Sequence, residues 1–97
     1  MLTLDLDDPD MPRITVVADS LPGGDGNVDL WAHLRDGRTF AFTAFTVADV
    51  QRLMGDDRSF VSPGMLLVAE LSEAAILDAV VNAAQLGIEH FGVLQRA

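Results

Sequence analysis

The run Asp25-Gly26-Asn27-Val28-Asp29 carries oxygen ligands at every second position, the spacing with which a calcium loop opens. The match ends there. Leu30 stands where such a loop turns on glycine, Asp36 stands where a bidentate glutamate closes it, and the flanking residues read as strands rather than helices. His33 and His90 are the only histidines, so a zinc site would need carboxylates from distant parts of the chain. A minor ligand or enzymatic role at either histidine would require a deep pocket around it. There is no cysteine, lysine or tyrosine, which excludes disulfides, thiolate ligands and nucleophiles, Schiff bases and the phenolic acid. None of Ser20, Ser59, Ser62 and Ser72 lies in a Gly-x-Ser-x-Gly elbow. The glycine-rich run Pro22 to Asn27 lacks the lysine and hydroxyl of a phosphate loop and leads into a strand. The carboxylate pairs Asp7-Asp8 and Asp56-Asp57 sit in polar segments flanked by proline or glycine. A catalytic acid or base needs a buried, perturbed group, and these pairs offer none. No catalytic residue, metal site or cofactor is therefore expected, and the chain is not read as an enzyme.

Binding chemistry is better represented. The formal charge is −9, from 15 acids, twelve of them Asp, against 6 arginines. Such a surface repels phosphate, which argues against direct nucleic-acid binding and against an anionic membrane leaflet. It serves solubility, and a compositional bias toward Asp would produce it without functional meaning. It would also steer a basic protein partner. The sequence offers Asp29, Trp31 and His33, alternate residues of one segment, as a contact surface with an aromatic anchor. Asp56 and Asp57 add charge from a neighbouring loop. The expectation is a non-catalytic acidic binding module, such as a small inhibitor or immunity-type neutraliser of a basic partner. That partner would be a nuclease or another nucleic-acid-binding protein.

The elements that must present these residues follow from periodicity. Leu2 to Leu6 alternates apolar and polar residues, and Arg13 to Asp19 is rich in β-branched residues. Pro9 and Pro12 separate the two, and a flexible loop from Ser20 to Asn27 follows. Asn27 to Phe45 reads as a hairpin whose register can be argued. A two-residue turn at Asp36-Gly37 would oppose Trp31 and Phe42 and mix the faces. A three-residue loop Arg35-Asp36-Gly37 opposes Ala32 to Phe40 and Leu30 to Phe42. Val28, Leu30, Ala32, Leu34, Phe40, Phe42 and Ala44 then share one face, and Asp29, Trp31, His33, Thr39, Ala41 and Thr43 the other. A slip of one residue would exchange the faces, so the segregated register is expected, with Gly37 left-handed in a bulged type I turn.

Two helices follow. Thr46 caps the first, 47–54, which stops at Gly55; Ser72 caps the second, 73–86, which stops at Gly87 with Ile88 folding back. Residues 65–71 between them form a strand apolar on both faces and so expected at the sheet centre. A short strand at the C-terminal end completes the order β-β-β-β-α-β-α-β. The fold class is α+β: one mostly antiparallel sheet of four to five strands with two helices packed on one face. The whole chain, 1–97, is a single domain, with 1–12 as a loosely attached N-terminal strand. No signal peptide or membrane span is visible, so a cytoplasmic protein is expected.

The second helix has a narrow polar face at Asp78, Asn82 and Gln85, within about 60° at 100° per residue. Ile76, Leu77, Val80 and Val81 flank it on one side and are assigned to the sheet. Ala75, Ala79 and Ala83, with Leu86 beside them, form a row of small residues on the other. Either the first helix fills that groove through Val47, Val50, Leu53 and Met54, or a second copy of the chain does. The latter is the alternative function: a homodimeric assembly subunit joined through this helix.

Overall fold

A computed structural model describes residues 2–6, 14–18 and 26–95. The Pro9–Pro12 break, Asp7 and Asp8, and the glycine-rich connection through Asp25 lie outside the described residues. The elements are β1 (Leu2–Leu6), β2 (Ile14–Ala18), β3 (Asn27–Leu34), β4 (Thr39–Thr46), α1 (Val47–Met54), β5 (Met65–Val68), α2 (Glu73–Leu86), a 3₁₀ turn (Ile88–His90) and β6 (Val93–Leu94). The sheet runs β1-β2-β3-β4-β5, with β6 also pairing β4. Every pair is antiparallel except β4–β5. The class is α+β, as periodicity indicated. Among the described residues no helix is long and apolar enough to cross a membrane.

The β3–β4 hairpin has the segregated register. Ala32 opposes Phe40, Leu30 opposes Phe42, and Trp31 opposes Ala41. The turn closes through Gly37 N–H to the Leu34 carbonyl at 3.1 Å, with Leu34 N–H on the Arg38 carbonyl at 2.8 Å. Gly37 has φ +96, which a side chain would resist. Asp36 accepts the backbone N–H of Arg38 at 2.9 Å and its Nε at 2.8 Å, and the first of these above all holds its carboxyl below the usual range.

Alternation then builds the core. Ile14, Val16 and Ala18 of β2, Val28, Leu30 and Ala32 of β3, Phe40, Phe42 and Ala44 of β4, and Leu66 and Val68 of β5 are buried on one face. Ile76, Val80 and Ala83 of α2, together with Leu71 and Ile88, close over them. Each large side chain so covered is worth about 1.5–3 kcal/mol. Ser72 caps α2 by accepting Ala75 N–H at 3.2 Å, and Leu71 and Ile76 are buried on either side of that cap.

Two expectations need correction. First, β5 lies at an edge, not at the centre: among the described residues it pairs only with β4. Its apolar outer residues, Met65 and Leu67, lie beside Thr43 and Phe45. Phe45 is buried there against the Phe60 ring, 5.4 Å away and edge-on, supplied by the α1–β5 connection. The connecting segment covers Phe45, while Leu67 stays exposed, so the apolar outer residues of β5 do not mark a position at the sheet centre. Second, α1 does not fill the groove beside the α2 alanines. Two adjoining depressions run along that seam, and both are lined by α2, β5 and the residues just beyond them, with no α1 side chain in either wall. The reason is that α2 reaches both edge strands, β5 and β1, and roofs the inner face alone. No α1 residue joins the core cluster, and Val47 and Leu53 stay exposed.

Candidate binding site

What α1 does instead is anchor the outer face. Thr46, the last residue of β4, caps it by accepting Asp49 N–H at 3.2 Å. The same hydroxyl accepts Gly26 N–H at 3.1 Å, which ties the start of β3 to the start of α1. Asp49 accepts Asn27 Nδ2 at 2.9 Å and Arg52 at 2.6 Å. The Asn27 bond, then the Arg52 bond, lowers its pKa. Its carboxylate is buried, with the largely exposed Arg52 bound to it. Asn27 is thereby committed to α1, and Asp25 lies outside the described residues, so no calcium-type trio is formed by what is described.

From this anchor the chain runs through Phe60 to Ser62 and Pro63 and returns beside β4. Gly64 makes the return possible. Its φ is +63, a Cβ there would sit 2.5 Å from the Ala41 carbonyl oxygen, and its own carbonyl accepts Thr43 N–H at 2.9 Å. Further along the same edge of β4, β6 pairs Val93 with Ala41, and Gln95 N–H donates to the Thr39 carbonyl at 2.8 Å. The backbone pairings set Thr3, Val17, Trp31, Ala41 and Val93 in one row across the outer face.

Trp31 is the large member of that row and is half-buried, outside the hydrophobic core. Ala41 opposite it is small, and the space that leaves is part of a depression of about 370 Å³. Asp29, Trp31, Ala41, Thr43, Ser62, Pro63, Val93 and Gln95 contribute to its wall, with Phe42. Along β3, Trp31 is bracketed by two polar residues, each tied to the threonine across from it. Thr43 Oγ1 donates to Asp29 Oδ1 at 2.8 Å, and His33 Nδ1 hydrogen-bonds Thr39 Oγ1 at 2.9 Å. These cross-strand bonds fix the carboxylate and imidazole relative to the sheet.

Of the residues singled out from sequence, Asp29 and Trp31 come together in this wall. His33 shares the face but does not line the depression. Asp56 and Asp57 are exposed in the turn that ends α1, where Asp57 N–H donates to the Met54 carbonyl, and they lie outside the wall. Ala75 and Ala79 are half-buried along the α2–β5 seam, and Leu86 is exposed at its end. Ala83 is buried in the chain's own core: the sheet-facing stripe keeps Ile76 and Val80 of the flank assigned from sequence, with Leu77 packed against it, and takes in Ala83. His90 is exposed, with Glu89 3.6 Å away. Ser62, Pro63, Val93 and Gln95 were not anticipated. Nothing local in the sequence marks them, since pairing and chain return bring them to Trp31 from about 30 and 60 residues away.

In comparisons with known protein families, curated proteins and solved structures, the chain matches none.

Proposed function

We propose that the protein is a non-catalytic binding module that docks a basic protein on the outer face of its sheet, with Trp31 as the anchor. The carrying observation is the pairing of a half-buried indole with a carboxylate that has no cation beside it. Asp29 accepts one bond, from the neutral Thr43, and forms no ion pair among the described residues. The net charge of −9 draws a basic partner in over roughly a Debye length, about 8–10 Å. Asp56 and Asp57 contribute to that field, and the indole supplies short-range energy. An inhibitor or immunity-type neutraliser that covers the basic site of a nuclease fits this chemistry. The test is affinity capture with wild type, Trp31→Ala and Asp29→Asn as baits at about 50 mM and about 500 mM salt. Support requires one basic protein, retained by wild type at low salt and lost with both variants. A captured set indifferent to the variants and to salt overturns the proposal.

The α2–β5 seam favours a second reading, assembly with another copy of the chain. Leu67 is 55% and Leu86 69% exposed there, next to Phe91 and the unfilled depressions along Ala75 and Ala79. Asp78 is the one charged residue lining either depression, so two acidic chains would meet at this seam with little repulsion. Ala79→Glu would then convert a dimer to monomer in sedimentation velocity. Wild type sedimenting as a monomer at concentrations of about 100 μM, weaker than most stable homodimers, rejects this reading.

A further inference from the structure

Resting on the basic-partner proposal, and sharpening it, we infer that the depression around Trp31 receives the side chain of a single arginine presented by the partner. Three features select a guanidinium. Among the described residues the wall holds one indole and one carboxylate, and no cation lines it. Its volume, about 370 Å³, is at the small end of the roughly 300–1,000 Å³ of ligand pockets, which suits one long side chain rather than a helix or a large ligand. Its remaining polar groups, Thr43, Ser62 and Gln95, are neutral and able to accept N–H bonds.

A guanidinium is planar and carries five N–H donors. It can lie on the indole face while two donors meet a carboxylate, a combination that a lysine ammonium cannot reproduce. The site is set for this in advance. The Thr43 hydroxyl already donates to Asp29 Oδ1, which orients the carboxylate, leaves Oδ2 free among the described residues, and leaves the hydroxyl oxygen able to accept in turn. Ala41 opposite Trp31 leaves the width that an arginine stem would occupy, with Val93 and Pro63 as apolar neighbours for its methylenes.

Trp31 is the only tryptophan and there is no tyrosine, so intrinsic emission and the indole N–H resonance report on this pocket alone. The experiment titrates the folded protein with three acetylated, amidated pentapeptides, Gly-Gly-X-Gly-Gly, in which X is arginine, lysine or citrulline. Saturable millimolar binding of the arginine peptide is expected at Trp31, weaker by about tenfold or more for lysine and citrulline. Asp29→Asn weakens the arginine peptide by a similar factor, whereas Glu70→Gln, which removes the same charge at an exposed position outside the wall, leaves it unchanged. Far-ultraviolet circular dichroism confirms that both variants fold. Arginine and lysine peptides binding alike, or Asp29→Asn and Glu70→Gln acting alike, would refute the arginine pocket. Salt-sensitive capture of a basic protein would survive that result, so the two proposals fail separately. A silent Trp31 with all three peptides also refutes the pocket, whatever the capture experiment returns.

Discussion

Replacing Thr46 by alanine tests how the outer-face site is held. The side chain is 1% exposed, and its hydroxyl accepts both Asp49 N–H and Gly26 N–H. Loss of the helix cap costs about 1 kcal/mol. The Gly26 N–H is left in a part-buried position without its acceptor, at about 1–3 kcal/mol. The γ-methyl takes a further contribution of about 0.8 kcal/mol. The Gly26 carbonyl keeps the Thr46 backbone N–H at 3.0 Å and adds nothing. The total is about 3–5 kcal/mol, or roughly 12–40 °C in Tm at the 4–8 °C per kcal/mol typical of domains this size. Ser72→Ala is the control: that hydroxyl makes one cap bond, to Ala75 N–H, so about 1 kcal/mol and 4–8 °C are expected. Thr46→Ser keeps both accepted bonds and loses about 1 kcal/mol or less. Thermal and urea unfolding followed by circular dichroism measure all three. Thr46→Ala costing no more than Ser72→Ala, or Thr46→Ser as costly as Thr46→Ala, would show that Thr46 is not the hub described.

Acid should attack the same corner. Bonds from Asn27 and then Arg52 depress the folded pKa of Asp49, so its contribution is present above the unfolded value, about 3.9, and disappears as pH falls through the folded one. Urea midpoints between pH 7 and pH 2 should therefore show Asp49→Asn losing stability at neutrality and converging on wild type at the acid end; parallel curves would contradict the linkage. Gly64→Ala should destabilise more than Gly37→Ala, since the first drives a Cβ into the Ala41 carbonyl while nothing stands within 4 Å of the second. Gly37→Ala carries only the left-handed strain, about 1–2 kcal/mol, and Tm values compare the two. Phe42→Ala should cost about 3–5 kcal/mol and Trp31→Ala at most roughly half of that, because only the phenylalanine lies in the core. Equal losses in urea would place the indole in the interior and remove it from the docking surface.

The hairpin was legible because its information is local and redundant. Fourteen alternating residues and one turn glycine agree on a single register, and a slip would have exposed Phe40 and Phe42. Both helices were legible to the residue for the same kind of reason: Thr46 and Ser72 cap them and Gly55 and Gly87 end them, within a few positions of the apolar pattern. Long-range relations were not legible. Met65 and Leu67 look like central-strand residues, but among the described residues β5 pairs with β4 alone, and Leu67 is exposed at that edge. The α2 stripe was displaced toward Ala83 because periodicity gives an apolar arc, while the strands beneath determine which part of the arc is used. Asp29 and Trp31 were legible as neighbours on one face; the wall opposite them was not, because Ser62, Pro63, Val93 and Gln95 arrive by chain return.

The distribution of arginines bears on the proposed docking face. Among the described residues, Arg38 is held by Asp36 at the hairpin turn and Arg52 by Asp49 over the start of α1. Both pairs are local, two and three residues apart, and both serve turns or caps. Neither reaches the middle of the outer sheet face, where Asp29 meets only a threonine hydroxyl. A carboxylate on an exposed strand gains little from an intramolecular ion pair, typically under about 1 kcal/mol, so folding alone places no cation there. The same carboxylate beside a half-buried indole gains far more from a cation that a partner desolvates on docking, because the two interactions reinforce one another as water leaves. On the proposed reading, an outer face that among the described residues leaves Asp29 without a cation beside Trp31 would serve an intermolecular cation rather than the stability of the fold.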